Sequence, residues 1–352
     1  YVGLVVGAGI SEFGHHITCV DIDKEKINQL NNGKIPIFEP GLNSLIESNC
    51  KKERLFFSAD IEKTIKESDI IFIAVGTPQN NNGDVDLNYV ESVSKTISKN
   101  LNKYKIICTK STVPVGTGKL IEKTLLKNND RSDFDYVSNP EFLREGSAVK
   151  DFLIPDRLVI GARNEKAFSI MKEVYRPFFI NETPILNTSV ETAELIKYAS
   201  NAFLALKISY INEIANLCET VGADIHHVAK AMGQDGRISA KFLHPGPGFG
   251  GSCFPKDTMA LVNMGKKFNH PVRTVEAAIE VNKKQSLRMI NKIDSLLDNQ
   301  ISGKKIAILG LSFKPQTDDI REAPSTKIIP KLIIKGAKIN AYDPVAIENF
   351  RT

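Results

Sequence analysis

From Ser189 to Val221 the chain runs without a proline or a glycine, and apolar side chains recur at helical spacing: Leu195, Ile196, Ala199, Phe203, Leu206, Ile208, Ile211, Ile214 and Leu217. Such a run predicts one long helix stopped by Gly222, and with it a helical middle domain. The residues before it behave differently. Short β-rich runs, 16–20, 70–75 and 105–109, alternate with amphipathic stretches studded with Lys and Glu. Runs with little polar alternation, separated by helical segments, read as buried parallel strands of an α/β sheet. After Ser302-Gly303 the strand pattern returns at 304–310, followed by a helix near 325–335 and a strand near 337–342 closed by Asp343-Pro344. That is a second β-α-β unit. One such unit cannot cover both faces of a parallel sheet, so the last domain is expected to be partial.

Composition narrows the function classes. The 352 residues are 42% hydrophobic and 25% charged, ordinary for a globular protein and unlike disordered or collagenous chains. The net charge of +5 is spread along the chain, which gives no footprint for nucleic acid and suits a small anionic ligand. Five cysteines, Cys19, Cys50, Cys108, Cys218 and Cys253, are widely spaced with no Cys-x-x-Cys, and the six histidines form no ligand-spaced set. Neither a disulfide framework nor a metal site is encoded, and a reducing, cytoplasmic setting is expected. The other four cysteines, apart from Cys253, fall in strand or helix patterns and read as core. No apolar run approaches the ~18 residues of a membrane span, and the apolar start lacks a basic signal-peptide region, so no membrane association or export is expected.

The first domain carries part of a dinucleotide fingerprint, which needs a strand, G-x-G-x-x-G, a helix, and an acidic residue ~20 positions on at the end of the second strand. Asp21 follows Val20 and fills the acidic position, which makes Tyr1-Val2-Gly3 the end of the glycine loop. The first strand and first two glycines are then expected to be missing. Gly7-Ala8-Gly9 with Gly14 is a decoy, since too little chain precedes it for a strand, and Gly7 and Gly9 read as small residues on the packed face of the first helix. The overall expectation is an α/β chain in three parts: a Rossmann-like NAD-binding domain lacking its first strand over 1–188, a helical central domain with a long central helix over 189–300, and a partial second Rossmann-like domain over 301–352. The long helix also carries more apolar length than one domain covers, so a homodimer through it is expected.

The densest chemical signal is Pro245-Gly246-Pro247-Gly248-Phe249-Gly250-Gly251-Ser252-Cys253-Phe254-Pro255-Lys256-Asp257. Glycines at this density let a backbone approach a ligand closely, and a cysteine ending such a loop beside Lys256 is suited to act as a thiolate nucleophile. The bland reading is a structural turn with a buried, inert thiol. Asn139-Pro140-Glu141-Phe142-Leu143-Arg144-Glu145-Gly146 places two carboxylates and a guanidinium around a turn, able to position water or merely to begin a helix. Gly76-Thr77-Pro78 and Lys110-Ser111-Thr112-Val113-Pro114 follow strands, where α/β sheets bind ligands, although plain loops also lie there. Lys197 and Asn201, four apart, share a helix face away from the apolar one; they could hold an oxyanion or form a solvated flank.

Taken together, the 139–146 and 248–257 motifs and Gly310-Leu311-Ser312-Phe313-Lys314 resemble the nucleotide-sugar dehydrogenases, and Arg237-Ile238 with Phe242-Leu243-His244-Pro245-Gly246 is most similar to their UDP-glucose branch. The resemblance runs through essentially the whole chain. It implies a two-step, four-electron oxidation of the C6 hydroxyl of UDP-glucose to a carboxylate, with NAD as cofactor and Cys253 passing through a thiohemiacetal and a thioester. It further implies catalytic roles for Lys197, Asn201, Asp257, Glu141 and Thr112. NAD contacts are implied for Val2, Gly3, Asp21, Lys26, Thr77, Thr112, Glu145, Lys256 and Arg321; an acidic Asp21 at the ribose would repel the 2′-phosphate of NADP. Substrate contacts are implied for Glu141, Phe142, Leu143, Arg144, Glu145, Lys197, Asn201, Arg237, Phe242, Leu243, His244, Pro245, Gly246, Gly250 and Lys314, with Arg237 reaching toward a neighbouring subunit. Dehydrogenation of GDP-mannose or UDP-N-acetylmannosamine, a cysteine hydrolase, and a truncated, non-catalytic nucleotide-binding protein are the alternatives.

Overall fold

A computed structural model describes residues 1–80 and 82–351. It separates into two compact units, Tyr1–Asn80 with Val85–Lys197, and Asn81–Asp84 with Tyr198–Thr352. The first unit opens with the helix Val2–Glu12, then strands β1 (Ile17–Val20) and β2 (Leu55–Ser58), which pair in parallel. A five-stranded sheet follows, formed in spatial order by β3 (Ile70–Ile73), β4 (Lys105–Thr109), β5 (Phe134–Ser138), β6 (Leu158–Ala162) and β7 (Ile185–Thr188). All its neighbours are parallel except β5 and β6, which meet antiparallel through Val137 with Ala162 and Ser138 with Gly161.

The expected strands at 16–20, 70–75 and 105–109 are present. They pair in parallel as expected, but only β4 of the three is buried along its length, β1 and β3 being largely half-buried; β6, which the reading did not include, runs against β5. The reason is local. The short helix Ala148–Leu153 between β5 and β6 does not carry the chain back across the sheet as a full crossover helix would. Strands β2, β5, β6 and β7 escape the periodicity argument because they are short and several begin or end in polar residues, as in Leu-Phe-Phe-Ser and Ile-Leu-Asn-Thr.

Gly7 and Gly9 are packing glycines, as expected. A Cβ on Gly7 would lie 2.3 Å from Cys19 Sγ, and one on Gly9 2.1 Å from the Phe152 ring, so the first helix rests on β1 and on Phe152 at backbone distance. Two apolar cores flank the sheet, one around Val5, Ile10, Ile106, Val137, Phe152 and Ile160, the other around Ile73, Ile97, Ile107, Leu125 and Tyr136. Gly161 repeats the device: a Cβ there would meet Ala193 Cβ at 2.6 Å and Ser189 O at 2.8 Å, so β6 receives the first turn of the next helix without a side chain between them.

That helix is Val190–Val221, 32 residues long, followed by Gly222 at φ +74. Its boundaries match the proline- and glycine-free run, but its faces do not match the expected division. The buried stripe carries Val190, Ala193, Glu194, Lys197, Asn201, Ala205, Ser209 and Asn212, while Leu195, Phe203, Tyr210 and Leu217 are exposed. The solvated-flank reading of Lys197 and Asn201 therefore fails. Most polar groups on the buried face are tolerated because they find partners: Glu194 takes the backbone N–H groups of Gly116 and Gly118, Asn212 Oδ1 takes that of Gly246, and Ser209 donates to Ala278 O, while Asn212 Nδ2 is left without one among the described residues.

In the second unit the helices Ile225–Gln234, Phe254–Lys267 and Arg273–Leu296 precede the parallel pair β8 (Lys305–Leu309) and β9 (Lys338–Tyr342), with the helix Pro324–Ile334 between them. The β-α-β unit read at 304–342 is thus observed. Ile290, Ile301 and Leu332 form one core of this unit, and Leu311, Ile329 and Ala346 another. The expectation that the four cysteines besides Cys253 are core is corrected in part. Cys108 and Cys218 are buried, Cys19 is half-buried, and Cys50 is exposed on the polar side of the helix Leu42–Lys51.

Candidate functional site

In the first unit, Asp21 follows β1 directly and its carboxylate accepts from Lys26 Nζ at 2.9 Å and from Asp23 N at 3.1 Å. Partial burial raises its pKa, yet these donors and the Lys26 charge outweigh that and hold it below the usual carboxylate value. Val2 and Gly3 form the first turn of the helix Val2–Glu12, whose N-terminal end carries no side-chain cap among the described residues and suits an anion. A Cβ on Gly3 would already touch Ala74 Cβ at 3.4 Å, beyond the end of β3, as the last glycine of a dinucleotide fingerprint requires. Thr77 and Thr112 lie in the loops after β3 and β4 and are tied together, Thr77 Oγ1 donating to Thr112 O at 3.0 Å. These residues fit a dinucleotide bound across the carboxyl ends of the strands.

Beyond β5, Asn139-Pro140 leads into a loop and not into a helix. Glu141 is buried and pairs with Lys197 Nζ at 3.0 Å, the two side chains being 7% and 4% exposed. The second carboxylate oxygen takes the Leu143 N–H. Two cations lie over the Phe142 ring, the Arg157 guanidinium 3.8 Å and Lys197 Nζ 5.3 Å from its centroid. Arg144 turns back to Asp151 in a forked pair, and Glu145 is half-buried beside it.

In the second unit Cys253 is the N-cap of the helix Phe254–Lys267, half-buried, its thiol 3.7 Å from Ser252 Oγ. The N-terminal end of a 14-residue helix favours negative charge at that position. One turn further on, Asp257 is 1% exposed and held at both oxygens, by Lys256 Nζ at 2.7 Å and Asn201 Nδ2 at 2.6 Å. The glycine-rich turn is pinned from behind by helix amides. Asn282 Oδ1 accepts from Phe249 N, Asn282 Nδ2 donates to Phe249 O, and Gln285 Nε2 donates to Gly246 O. Gly250 and Gly251 are there for contact. A Cβ on Gly250 would fall 2.3 Å from Glu322 O, and Gly251, at φ +80, lies under the Phe313 ring and donates to Arg321 O.

The remaining expected residues of this unit each make local contacts. Phe242 adopts φ +67 and packs on Phe254, Leu243 is buried, His244 is exposed, and Pro245 is half-buried. Arg237 is exposed and forked to Asp235, Arg321 is forked to Asp319, and Lys314 lies over the Phe313 ring.

Sequence reasoning missed several groups that set this geometry. Glu39, in Phe38-Glu39-Pro40, is buried and takes the N–H groups of Gly146 and Ala148, both at 2.7 Å, which pins the loop bearing Glu145. Glu194 anchors the N-terminus of the helix Thr117–Leu125; burial pushes its carboxyl up to about 7 against the two backbone donors. Lys110, read only as part of a loop, is buried. The one available signal was a charged residue at a buried position of a helix stripe, as for Glu194, and it becomes legible only once the helix faces are known.

Family models match the chain in three consecutive segments, all from the UDP-glucose/GDP-mannose dehydrogenase family: its NAD binding domain over residues 1–179, its central domain over 191–284 and its UDP binding domain over 307–352. The chain therefore belongs to the UDP-glucose/GDP-mannose dehydrogenase family, with a Rossmann-type NAD-binding domain, a helical central domain and a C-terminal UDP-binding domain. It is 52% identical over 348 residues to the UDP-glucose 6-dehydrogenase TuaD of Bacillus subtilis, covering 99% of this chain and 75% of the relative. It is 50% identical over 354 residues to the UDP-glucose 6-dehydrogenase of Rhizobium meliloti, covering 100% and 81%. Among solved structures, a UDP-glucose dehydrogenase from Pyrobaculum islandicum superposes with a TM-score of 0.96 at 37% identity, over 100% of this chain and 81% of that one.

Proposed function

We propose that this chain is an NAD-dependent dehydrogenase that oxidises the C6 hydroxyl of UDP-glucose to the carboxylate of UDP-glucuronate through a covalent intermediate on Cys253. The observation that carries the reading is the head of the helix Phe254–Lys267, where a half-buried thiol stands one turn before a buried carboxylate fixed by an ammonium and an amide. When bound, NAD+ supplies the hydride acceptor for each of the two oxidations. Val2 and Gly3 would face its pyrophosphate, Asp21 with Lys26 its adenosine ribose, and Thr77, Thr112, Glu145, Lys256 and Arg321 the remainder.

The chain's own groups do the rest. Cys253 Sγ adds to the aldehyde carbon made in the first oxidation, and capture as a thiohemiacetal keeps the aldehyde from escaping. Lys197 stabilises the oxygen that becomes negative, and Asn201 holds the sugar end. After the second oxidation the carbon is a thioester. Water attacks it, Glu141, Asp257 and Thr112 accept and pass the proton, and the thiol leaves as the carboxylate forms. Phe142 to Arg144, Phe242 to Gly246, Gly250 and Lys314 line the substrate, with Lys314 answering diphosphate charge.

Three functional segments follow from this reading, 1–188 for the cofactor, 189–300 for the central domain and 301–352 for UDP. The exposed row Phe203, Tyr210 and Leu217, spaced seven apart on the Val190–Val221 helix, together with a neighbouring helix, Ile225–Gln234, that has no buried residue, supports a homodimer through the central domain, where Arg237 would reach the other subunit. A nucleophilic thiol that must stay reduced suits the cytoplasm. Among the described residues no helix is long and apolar enough to cross a membrane.

The test is a progress curve with UDP-glucose and NAD+, with GDP-mannose and UDP-N-acetylmannosamine as competitors. Two NADH for each UDP-glucuronate are expected. One NADH per turnover with a released aldehyde, or faster turnover of another nucleotide sugar, would overturn the reading. Light scattering checks the dimer.

A further inference from the structure

We propose that Lys110 is a positioning residue for Glu141, the cation that keeps this carboxylate in place when Lys197 is drawn from it to the developing oxyanion. The role rests on the dehydrogenase reading above. Lys110 follows β4 and is 3% exposed. Its ammonium donates to Asn139 Oδ1 at 2.9 Å and, more weakly, to Tyr175 OH at 3.4 Å; Tyr175 OH donates to the same Asn139 oxygen at 2.7 Å. Asn139 is fully enclosed and further fixed by Nδ2 to Val159 O at 2.7 Å and by its own N–H to Thr109 O at 2.9 Å. Glu141 is two residues further along the same loop.

Charge explains why an ammonium would be kept here. Buried cations are costly without a counter-charge, yet both hydrogen-bond partners of Lys110 are neutral. The carboxylate whose charge acts on it is Glu141, and the two residues line one small cavity of about 40 Å³ together with Tyr175, Arg157 and Asp151. Glu141 is already paired to Lys197 at 3.0 Å. One cation is thus in contact with this anion and a second acts on it through charge alone. A single lysine could not serve both a buried carboxylate and a substrate oxyanion without leaving one of them unpaired, whereas a second, immobile lysine permits it.

The groups facing Lys110 can be enumerated. The Cys108 thiol on β4 is pushed up by burial to about 12 and the Tyr175 phenol well above its ordinary value, so both are neutral near pH 7. Glu141 and Lys197 are the charges that act on it, in opposite directions; Arg157 and Asp151 stand on the cavity wall, engaged with the Phe142 ring and with Arg144. Burial lowers Lys110 itself to about 8. Its charge is therefore present below pH 8 and lost above it.

The experiment is the pH profile of kcat for wild type, Lys110→Met and Lys110→Arg with UDP-glucose and NAD+. Wild-type kcat should fall on the alkaline side with a midpoint near the Lys110 value. Lys110→Met should lose roughly ten- to a hundredfold in kcat with KM for NAD+ unchanged, and should lack that limb. Lys110→Arg should restore part of kcat and move the limb to higher pH. A Lys110→Met enzyme with wild-type kcat and limb would overturn the role; if that variant does not fold, a limb unmoved in Lys110→Arg does the same. An inactive wild type would instead bring down the dehydrogenase reading and this role with it.

Discussion

Replacing Gly250 by alanine tests whether the turn before Cys253 is held by contact. The added methyl would sit 2.3 Å from Glu322 O, 2.8 Å from Glu322 C and 3.1 Å from Ala323 Cα, about 1.1 Å inside the 3.4 Å at which ordinary contact begins. The obstacle is backbone and cannot rotate away. It is also fixed, since Arg321 O accepts from Gly251 N at 2.8 Å and Ala323 N donates to Ile320 O at 3.1 Å. Relief must therefore come from moving the turn by about 1 Å. Overpacking of this kind costs about 1–3 kcal/mol. Displacement at a reacting centre is dearer: a 1 Å misplacement can remove about a hundredfold of rate. Gly250→Ala should thus melt a few degrees lower and lose roughly a hundredfold in kcat, with more of the loss in kcat than in KM. Gly236→Ala is the control, because among the described residues no atom comes within 4 Å of its Cβ position. Paired melting curves and initial rates decide it. A Gly250→Ala enzyme with wild-type kcat would refute the claim that this contact sets the position of Cys253.

Other outcomes follow from the same geometry. Cys253→Ala should abolish UDP-glucuronate formation while leaving NAD+ binding by calorimetry intact. Lys197→Met should leave Glu141 buried beside Lys110 alone; breaking a buried pair costs about 3–5 kcal/mol, read as a lowered melting temperature, and Glu141→Gln in the same background should recover part of it. Asp343 is held to about 2: burial raises it, but the N–H groups of Leu311, Val345, Ala346 and Ser312 lower it further. Its folded pKa is depressed, so its contribution to stability is full above the ordinary carboxylate value and disappears as pH falls toward about 2. Acid melting curves of wild type and Asp343→Asn should converge over that window, and curves that stay parallel would contradict the sign.

How far the chain could be read beforehand depends on what each feature required. The Val190–Val221 helix was legible because a glycine- and proline-free run leaves few alternatives, and the packing role of Gly7 and Gly9 was legible because Asp21 follows Gly7 by only fourteen positions, too few for the fingerprint spacing. The faces of that helix were not. Periodicity assigns large apolar residues to the inside, and here Phe203, Tyr210 and Leu217 face out while Glu194, Lys197, Asn201 and Asn212 face in. What decides is pairing across long sequence separations, Lys197 with Glu141 or Asn201 with Asp257, each 56 positions away. No local pattern encodes those distances. The antiparallel direction of β6 was not legible for a similar reason, because strand direction is set by how the chain returns and not by the composition of the strand.

The same separation explains how a buried carboxylate is fixed within each unit. Glu141 and Asp257 are both buried carboxylates, and each is fixed by one ammonium and one neutral N–H donor: Lys197 and the Leu143 amide for Glu141, Lys256 and the Asn201 amide for Asp257. The neutral donor sets orientation, since it has one fixed direction, while the ammonium offsets the charge and can rotate its protons elsewhere. A carboxylate held only by two ammonium groups would be charge-balanced but loosely aimed; one held only by amides would be aimed but costly to bury. Asn201→Asp should therefore damage the second arrangement more than Asn201→Ala, because it sets a second carboxylate about 2.6 Å from Asp257 Oδ2 while Lys256 is held on the other oxygen. Equal rates for the two variants would mean that the amide at this position only fills space.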